Sequence, residues 1–309
     1  MLNRKNLILK QYSMKQFKNY LISIALLISV MVYSCSGGKS NQAEVDTELT
    51  VDTLLQDNME IMLPTPSEVL SIVLTSGIKY SDGYMAPLGI EKKTVMVKHK
   101  ALVLGVYFAD FAYANYYSQR NTSSEFFKAL QELTRDLGIG SILNDAYFKR
   151  FDANLNNPDS LDAIFEDFSQ NAYNTILESG NRELLSMIGI GAAIEILHIG
   201  INSIENAVNP DEAIATVIDQ SAIFDNYFNN FIAYNSSKPE FKNLTDDVTE
   251  IFKFFKEKLS DSGNETVVAD SEKHFTIAGG ETPKLSKADL AQLRSMVANV
   301  RKKLIELKY

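Results

Sequence analysis

Two long segments that are apolar around nearly their whole circumference most constrain how this chain can fold. The first runs from about Val95 to Ser118, and the second runs from about Asn181 to Ala207. A helix without a polar face must be enclosed by other helices. Gly105 and Ala109 in the first segment are small enough to allow a neighbouring helix to cross closely. We therefore predict that both segments are buried helices inside a larger helical domain.

The segments around these two carry the start signals of further helices. Asn157-Pro158 and Asn209-Pro210 each place a capping side chain before a proline at the first helical position. Thr122-x-x-Glu125 and Ser286-x-x-Asp289 are capping-box patterns. We predict an all-α fold, an irregular bundle or array of about eight to nine helices joined by short loops. A small β-hairpin near residues 265–278 would be its only sheet structure.

The last predicted helix has one narrow apolar face. Its apolar residues are spaced alternately by three and four positions, at Leu290, Leu293, Val297, Val300, Leu304 and Leu307. This spacing fits either packing on the rest of the bundle or pairing with a second chain. We favour docking within the chain, which would bury Val297. Arg294 and Arg301 are then expected on the remaining surface of the helix.

A signal sequence for lipid attachment is the strongest functional pattern in the chain. Lys15 and Lys18 precede an apolar run of about 13 residues, 20–32, which is too short to span a bilayer. Val32-Tyr33-Ser34-Cys35 then matches the bacterial lipobox, in which the cysteine is acylated and becomes the new N-terminus. The alternative is an ordinary secretory signal that contains a cysteine. Met14 is better placed than Met1 to be the first residue of the translated chain.

The chain divides into four parts on this interpretation. Residues 1–34 are the lipoprotein signal peptide, and 35–62 form a polar tether. Residues 63–260 form the helical domain, and 261–309 form a hairpin-like connector with the docked C-terminal helix. No acid directly follows Cys35, which argues against retention in the inner membrane and against export to the surface. We expect a lipid anchor in the outer membrane with the protein facing the periplasm.

Charge and cysteine content exclude several classes of function. The chain has 30 Lys and Arg against 39 Asp and Glu, and residues 1–34 contain five of the basic residues and no acid. The part from Cys35 onward therefore has a net charge of −14. Such a surface repels phosphate backbones, so no nucleic-acid partner is expected. It also gives no electrostatic help in binding anionic lipid. Because Cys35 is the only cysteine, disulfides and cysteine chemistry are excluded.

Three polar residues inside the apolar segments are the candidates for a site. Glu195 and His198 are three positions apart, on one helix face. Helical di-metal sites need a second Glu-x-x-His, and neither His99 nor His274 has a glutamate three positions before it, so we expect no metal. Asp110 is the one acid in the first segment, and a buried carboxyl there needs a tyrosine hydroxyl, a helix N-terminus or a cation.

These residues leave two interpretations open. Glu195 and His198 could be a buried pair that satisfy each other, or they could line a ligand pocket with Asp110. No nucleophile elbow, phosphate-binding loop or zinc-protease motif occurs in the chain. Gly189-Ile190-Gly191 lies within an apolar helix pattern, so close helix packing explains it better than nucleotide binding. We expect a non-catalytic binding or scaffold module without a cofactor, and the alternative is an enzyme with a cleft containing Asp110, Glu195 and His198.

Two motifs resemble those of a known group of proteins. The sequences Leu-Pro-Thr-Pro-Ser-Glu at 63–68 and Gly-Val-Tyr-Phe-Ala-Asp-Phe-Ala-Tyr at 105–113 are similar to an uncharacterised predicted lipoprotein family of the Bacteroidetes type. Members share a proline-flanked helix followed by a Gly-Val-Tyr-x-Ala-Asp-x-x-Tyr helix. The resemblance covers about Leu63 to Leu259. It implies the class and the envelope location, and it implies no activity and no site residues.

Overall fold

The structure is a computed structural model that describes residues 79–140, 145–154, 157–219, 221–260, 266–269, 275–278 and 285–309. All of these residues belong to a single folded unit. The signal peptide, the tether and the proline-flanked helix that the sequence predicts lie outside the described residues.

Helices make up most of the described chain, which confirms the predicted all-α multi-helix fold. Nine α-helices lie within the described ranges: α1 Val97–Tyr116, α2 Arg120–Asp136, α3 Asp145–Asn154, α4 Pro158–Glu178, α5 Arg182–Ser203, α6 Pro210–Asp219, α7 Ser221–Asn235, α8 Lys242–Ser260 and α9 Lys287–Ile305. Short 3-10 helices occupy Asp82–Tyr84, Ile204–Asn206 and Pro239–Phe241. Two strands, β1 (Thr266–Ala269) and β2 (Phe275–Ala278), pair antiparallel where the sequence predicts a hairpin.

Helices α1 and α5 are the buried centre of the fold. Every residue of α1 from Ala101 to Asn115 is buried, and so is every residue of α5 from Leu184 to Leu197. Within the described residues, one segment, Arg182–Asn206, is long and apolar enough to cross a membrane, and 94% of its most apolar window is buried. Burial by neighbouring helices accounts for its apolar composition, as the sequence analysis predicts for a core helix.

Glycines bring the backbones of α1 and α5 into direct contact. A Cβ atom on Gly105 would lie 2.0 Å from the carbonyl oxygen of Ile188, and one on Gly191 would lie 2.2 Å from that of Leu102. No side chain fits into such a gap. The glycine pair in α5 therefore serves close helix packing, as predicted, and Gly189 faces the ring of Tyr227.

Most of the predicted helix starts are confirmed, and one is wrong. Asn157 and Asn181 cap α4 and α5 through their side chains, and Ser286 forms a full capping box at α9. The capping box predicted at Thr122 is absent, because α2 already begins at Arg120. The left-handed backbone of Ser118, with φ of 53°, turns the chain directly from α1 into α2. Thr122 consequently lies inside the first turn.

Helix α9 packs against α5 and α8 of the same chain. Its buried residues are Leu293, Val297, Val300 and Leu304, all on the predicted apolar face. Arg294 reaches Glu205, but the expected surface position of Arg301 is wrong. Its side chain is only 13% exposed and points toward α5, because a buried carboxylate there requires a cation.

We expect Val297→Asp to destabilise the protein by about 3 kcal/mol or more, because it places an unpaired charge against buried side chains. Asn299→Asp is the matched control, since position 299 is exposed on the same helix and Asn and Asp have similar helix propensity, and it should change stability by less than about 0.5 kcal/mol. Thermal melts combined with light scattering measure both. A wild-type dimer that Val297→Asp converts into an equally stable monomer would show that this face binds a second chain.

Candidate functional site

Three side chains along one face of α1 bind the loop that precedes it, residues 81–90, which is called the loop below. Tyr107, Asp110 and Tyr113 follow one another at intervals of three, so they lie on the same side of the helix. Their oxygens accept hydrogen bonds from three backbone N–H groups of the loop, those of Ile90 at 3.2 Å, Ala86 at 3.0 Å and Ser81 at 3.0 Å. The loop therefore runs antiparallel to α1 and covers it.

This arrangement gives the Gly-Val-Tyr-x-Ala-Asp-x-x-Tyr pattern a structural role in this chain. Gly105 allows α5 to approach, and the tyrosines and the aspartate hold the loop. The hydroxyl of Tyr107 also lies 3.0 Å from Oε2 of Glu91, which accepts a further hydrogen bond from the N–H of Gly89 at 2.8 Å. The polar residues of the motif thus satisfy backbone groups that the loop would otherwise bury unpaired.

Asp110 and Glu195 meet in the interior of the fold. Both residues are 0% exposed. Oδ2 of Asp110 accepts the N–H of Ala86, while Oδ1 has no donor among the described residues. The negative charge of Glu195 disfavours ionisation of Asp110, so the pair is more stable with Asp110 protonated. Oδ1 of Asp110 is the atom available to carry that proton.

Burial and charge together favour the protonated form of Asp110. Burial raises the pKa of Asp110 well above its ordinary value, and the negative charge of Glu195 raises it further. The hydrogen bond from Ala86 and the charge of Arg301 oppose this rise without cancelling it. A neutral Asp110 avoids a second buried negative charge beside Glu195 and still accepts the N–H of Ala86 through Oδ2.

Arg301 supplies the positive charge that balances Glu195. Its Nε lies 2.6 Å from Oε2 and its Nη2 lies 2.7 Å from Oε1, a two-point contact between guanidinium and carboxylate. Nη2 also donates to the carbonyl oxygen of Tyr84 at 3.2 Å. Burial lowers the pKa of Arg301, but the charge and hydrogen bonds of Glu195 outweigh burial, and the net change is upward. The acid cluster, Asp110, Glu195 and Arg301, therefore joins the loop, α1, α5 and α9.

His198 lies beside this cluster but does not bond to Glu195 directly. Burial lowers the pKa of His198 to about 4, although the charge of Glu195 acts in the opposite direction. The ring is therefore neutral at physiological pH. Nδ2 of Asn202 donates to Nδ1 of His198 at 3.1 Å and to its carbonyl oxygen at 2.7 Å. Glu195 is bonded to Arg301 and His198 to Asn202, so Glu195 and His198 do not satisfy each other.

The geometry brings two of the three candidates into contact and the third close by, in an enclosed position. The loop lies over Asp110, and α9 lies over Glu195. An open cavity of about 420 Å³ occurs elsewhere and is lined by Leu88, Gly89, Glu91, Lys92, Glu125, Lys128, Ala129 and Glu132. Within the described ranges, no group of three or more His, Cys, Asp or Glu side chains is arranged to hold a metal ion.

Sequence reasoning missed Arg301 and the role of the loop. A buried acid in an apolar helix requires a hydrogen-bond donor or a cation, so the sequence did indicate that Glu195 and Asp110 have a partner. It did not identify the partner, since Arg301 is 106 positions from Glu195. The backbone N–H groups of the loop leave no mark in the sequence at all. No family model, curated protein or solved structure matches the chain.

Proposed function

We propose that this protein is a lipid-anchored module of the bacterial cell envelope that binds a partner or acts as a scaffold without catalysis. The anchor rests on the lipobox that ends at Cys35. The observation that carries the non-catalytic part is the closed acid cluster of Asp110, Glu195 and Arg301. The proposed location is the outer membrane, with the protein facing the periplasm.

A catalytic acid or base must come within hydrogen-bonding distance of its substrate. Asp110 and Glu195 are both 0% exposed; Oδ2 of Asp110 accepts from Ala86, and both oxygens of Glu195 accept from Arg301. Reaching them would require removal of the loop or of α9, each of which is held by hydrogen bonds to buried groups. The polar groups that would serve as catalysts are thus used to hold the fold together.

The alternative is an enzyme that opens the loop and uses Asp110, Glu195 and His198. The raised pKa of Asp110 favours it, since strongly shifted acids also occur at catalytic sites. The two proposals differ in what they require of the loop. In the enzyme, the N–H of Ala86 must exchange with solvent during frequent opening. In the closed scaffold, that N–H is protected nearly as well as the core helices.

Metabolic labelling with an alkyne fatty acid tests the anchor. We expect wild-type protein to be labelled and Cys35→Ala to lose the label completely, because the sulfur of Cys35 is the proposed acylation site. Ser34→Ala is the matched control, since it keeps a small residue before the cysteine and should be labelled normally. If Cys35→Ala is labelled as strongly as wild type, the anchor proposal is wrong.

A further inference from the structure

Three consecutive apolar side chains are exposed at the N-terminal end of α1. Val95 is 87% exposed, Met96 is 50% exposed and Val97 is 60% exposed. Large apolar side chains are exposed singly on most proteins, but a contiguous exposed group marks an interaction surface. Among the residues that the structure describes, none covers this group, whereas α1 is enclosed from Ala101 onward.

Basic residues flank these side chains. Residues 92–100 contain four lysines and no acid, within a chain whose net charge is −9. Lys92 and Lys93 are exposed directly before the apolar group. The neighbouring acid, Glu91, is buried, accepts from the N–H of Gly89 and the hydroxyl of Tyr107, and lies 4.0 Å from Nζ of Lys92. Lys100 pairs with Asp136, so the four lysines less the two acids paired with them leave a local charge of +2, although the protein as a whole is acidic.

The surface is also held firmly by the residues beneath it. The hydroxyl of Thr94 donates to the carbonyl oxygen of Glu91 at 2.8 Å, and the N–H of Lys93 donates to that of Ile90 at 2.9 Å. His99, in the first turn of α1, contacts the carbonyl oxygen of Tyr309 at 2.5 Å through Nε2. The apolar side chains are thus presented by a fixed backbone, which lowers the entropic cost of binding.

We propose that Lys92, Lys93, Val95, Met96 and Val97 form a docking patch for an anionic lipid surface. The three apolar side chains would enter the boundary between headgroups and acyl chains, and the two lysines would contact lipid phosphates. Aliphatic side chains beside lysines fit a bilayer better than a protein partner, since protein interfaces are enriched in aromatic residues and depleted of lysine. The patch acts independently of acylation. It supplies a local attraction to anionic lipid, which the negative net charge of the chain does not predict.

The test places one fluorescent probe on the patch of the full-length protein in vesicles. Val95→Cys is labelled with an environment-sensitive dye, and Ser118→Cys is the matched control at the other end of α1, about 30 Å away. We expect the probe at position 95 to shift to shorter wavelength and to be quenched by nitroxide lipids in vesicles containing phosphatidylglycerol. The shift should be weaker in phosphatidylcholine alone, and the probe at position 118 should stay in water in both.

A charge variant tests the role of the lysines. Lys92→Gln with Lys93→Gln should lower the ratio of docked to undocked protein by roughly fivefold for each lysine removed. Lys149→Gln with Lys253→Gln is the control, since both positions are exposed on other helices, and it should leave the ratio unchanged. An equal loss in both double variants would contradict the docking patch.

The outcomes separate this proposal from the anchor. Wild-type protein should take up no dye, because Cys35 is its only cysteine and is proposed to be acylated. If wild type is labelled, the anchor proposal fails, and the two probes are then compared in the Cys35→Ser background. A probe at position 95 that stays in water with anionic vesicles overturns the docking patch. A probe that shifts only when membrane proteins are added overturns it in favour of a protein partner.

Discussion

Glu195→Gln is expected to lower the free energy of unfolding by about 3 kcal/mol or more, whereas Asp110→Asn should lower it by less than about 1 kcal/mol. Both changes replace a fully buried carboxyl group by an amide of the same shape. They differ in the charge that they remove. Glu195→Gln leaves the guanidinium of Arg301 buried without its anion, and breaking a buried ion pair in this way is costly.

Asp110→Asn preserves the contacts of the protonated acid. The amide oxygen of Asn can accept the N–H of Ala86, and its uncharged NH₂ group takes the place of the protonated oxygen of the acid. Denaturant unfolding followed by circular dichroism at pH 7 compares the two variants with wild type. If Asp110→Asn costs as much as Glu195→Gln, then Asp110 carries a charge that the fold needs, and the proton assignment is wrong.

The difference in stability between wild type and Asp110→Asn should change with pH in one direction. Because the pKa of Asp110 is raised in the folded state, its contribution to stability is fully present below the ordinary value of 3.8 and is lost as pH rises through its folded value. In this range wild type should lose stability relative to Asp110→Asn by up to about 1.4 kcal/mol per pH unit. This loss brings wild type closer to Asp110→Asn as pH rises, which is why the expected cost of the amide at pH 7 is less than about 1 kcal/mol.

Gly105→Ala and Gly191→Ala are each expected to destabilise the protein by about 3 kcal/mol. Alanine favours a helix over glycine by about 1 kcal/mol, so a net loss can come only from contacts. The added Cβ atoms would lie 2.0 Å and 2.2 Å from backbone carbonyl oxygens of the facing helix. Backbone atoms cannot rotate away as a side chain can, so α1 and α5 would have to separate and leave voids among the side chains around them.

Gly83→Ala is the control for this pair of variants. A Cβ atom there would lie 3.5 Å from its nearest neighbour, Oγ of Ser81, an ordinary contact distance. We expect a change below about 0.5 kcal/mol, measured by denaturant unfolding of all three proteins. If Gly191→Ala is as stable as wild type, the backbones of α1 and α5 are not in contact.

The sequence was sufficient to predict the two core helices and their close packing. Their apolar circumference leaves only an enclosed position, and glycines within a helix pattern indicate close backbone approach. Helix starts were predictable where a side chain caps its own helix, as at Asn157, Asn181 and Ser286. The start of α2 was not, because the left-handed backbone of Ser118 is set by the turn itself rather than by a residue type that favours it.

Only the two acids of the candidate site could be predicted from the sequence. Asp110 and Glu195 stand out as acids in apolar helices, and a buried acid requires a partner. The partner comes from α9, where Arg301 adjoins the apolar face, next to Val300, and has no local feature that distinguishes it from Lys302 or Lys303. Contacts between distant segments depend on how the helices are arranged, and that arrangement follows from packing across the whole core.

The protonation state of Asp110 in the folded protein tests most directly whether the acid cluster is a closed structural unit. Protein labelled with ¹³C at the aspartate carboxyl carbons would be titrated by NMR, with Asp110→Asn used to assign the signal. We predict that the Asp110 signal titrates well above the value of about 3.9 for aspartate in water, because burial and the charge of Glu195 raise its pKa. A signal that titrates near pH 4 would show that Asp110 is ionised and reached by water, and it would contradict the closed cluster.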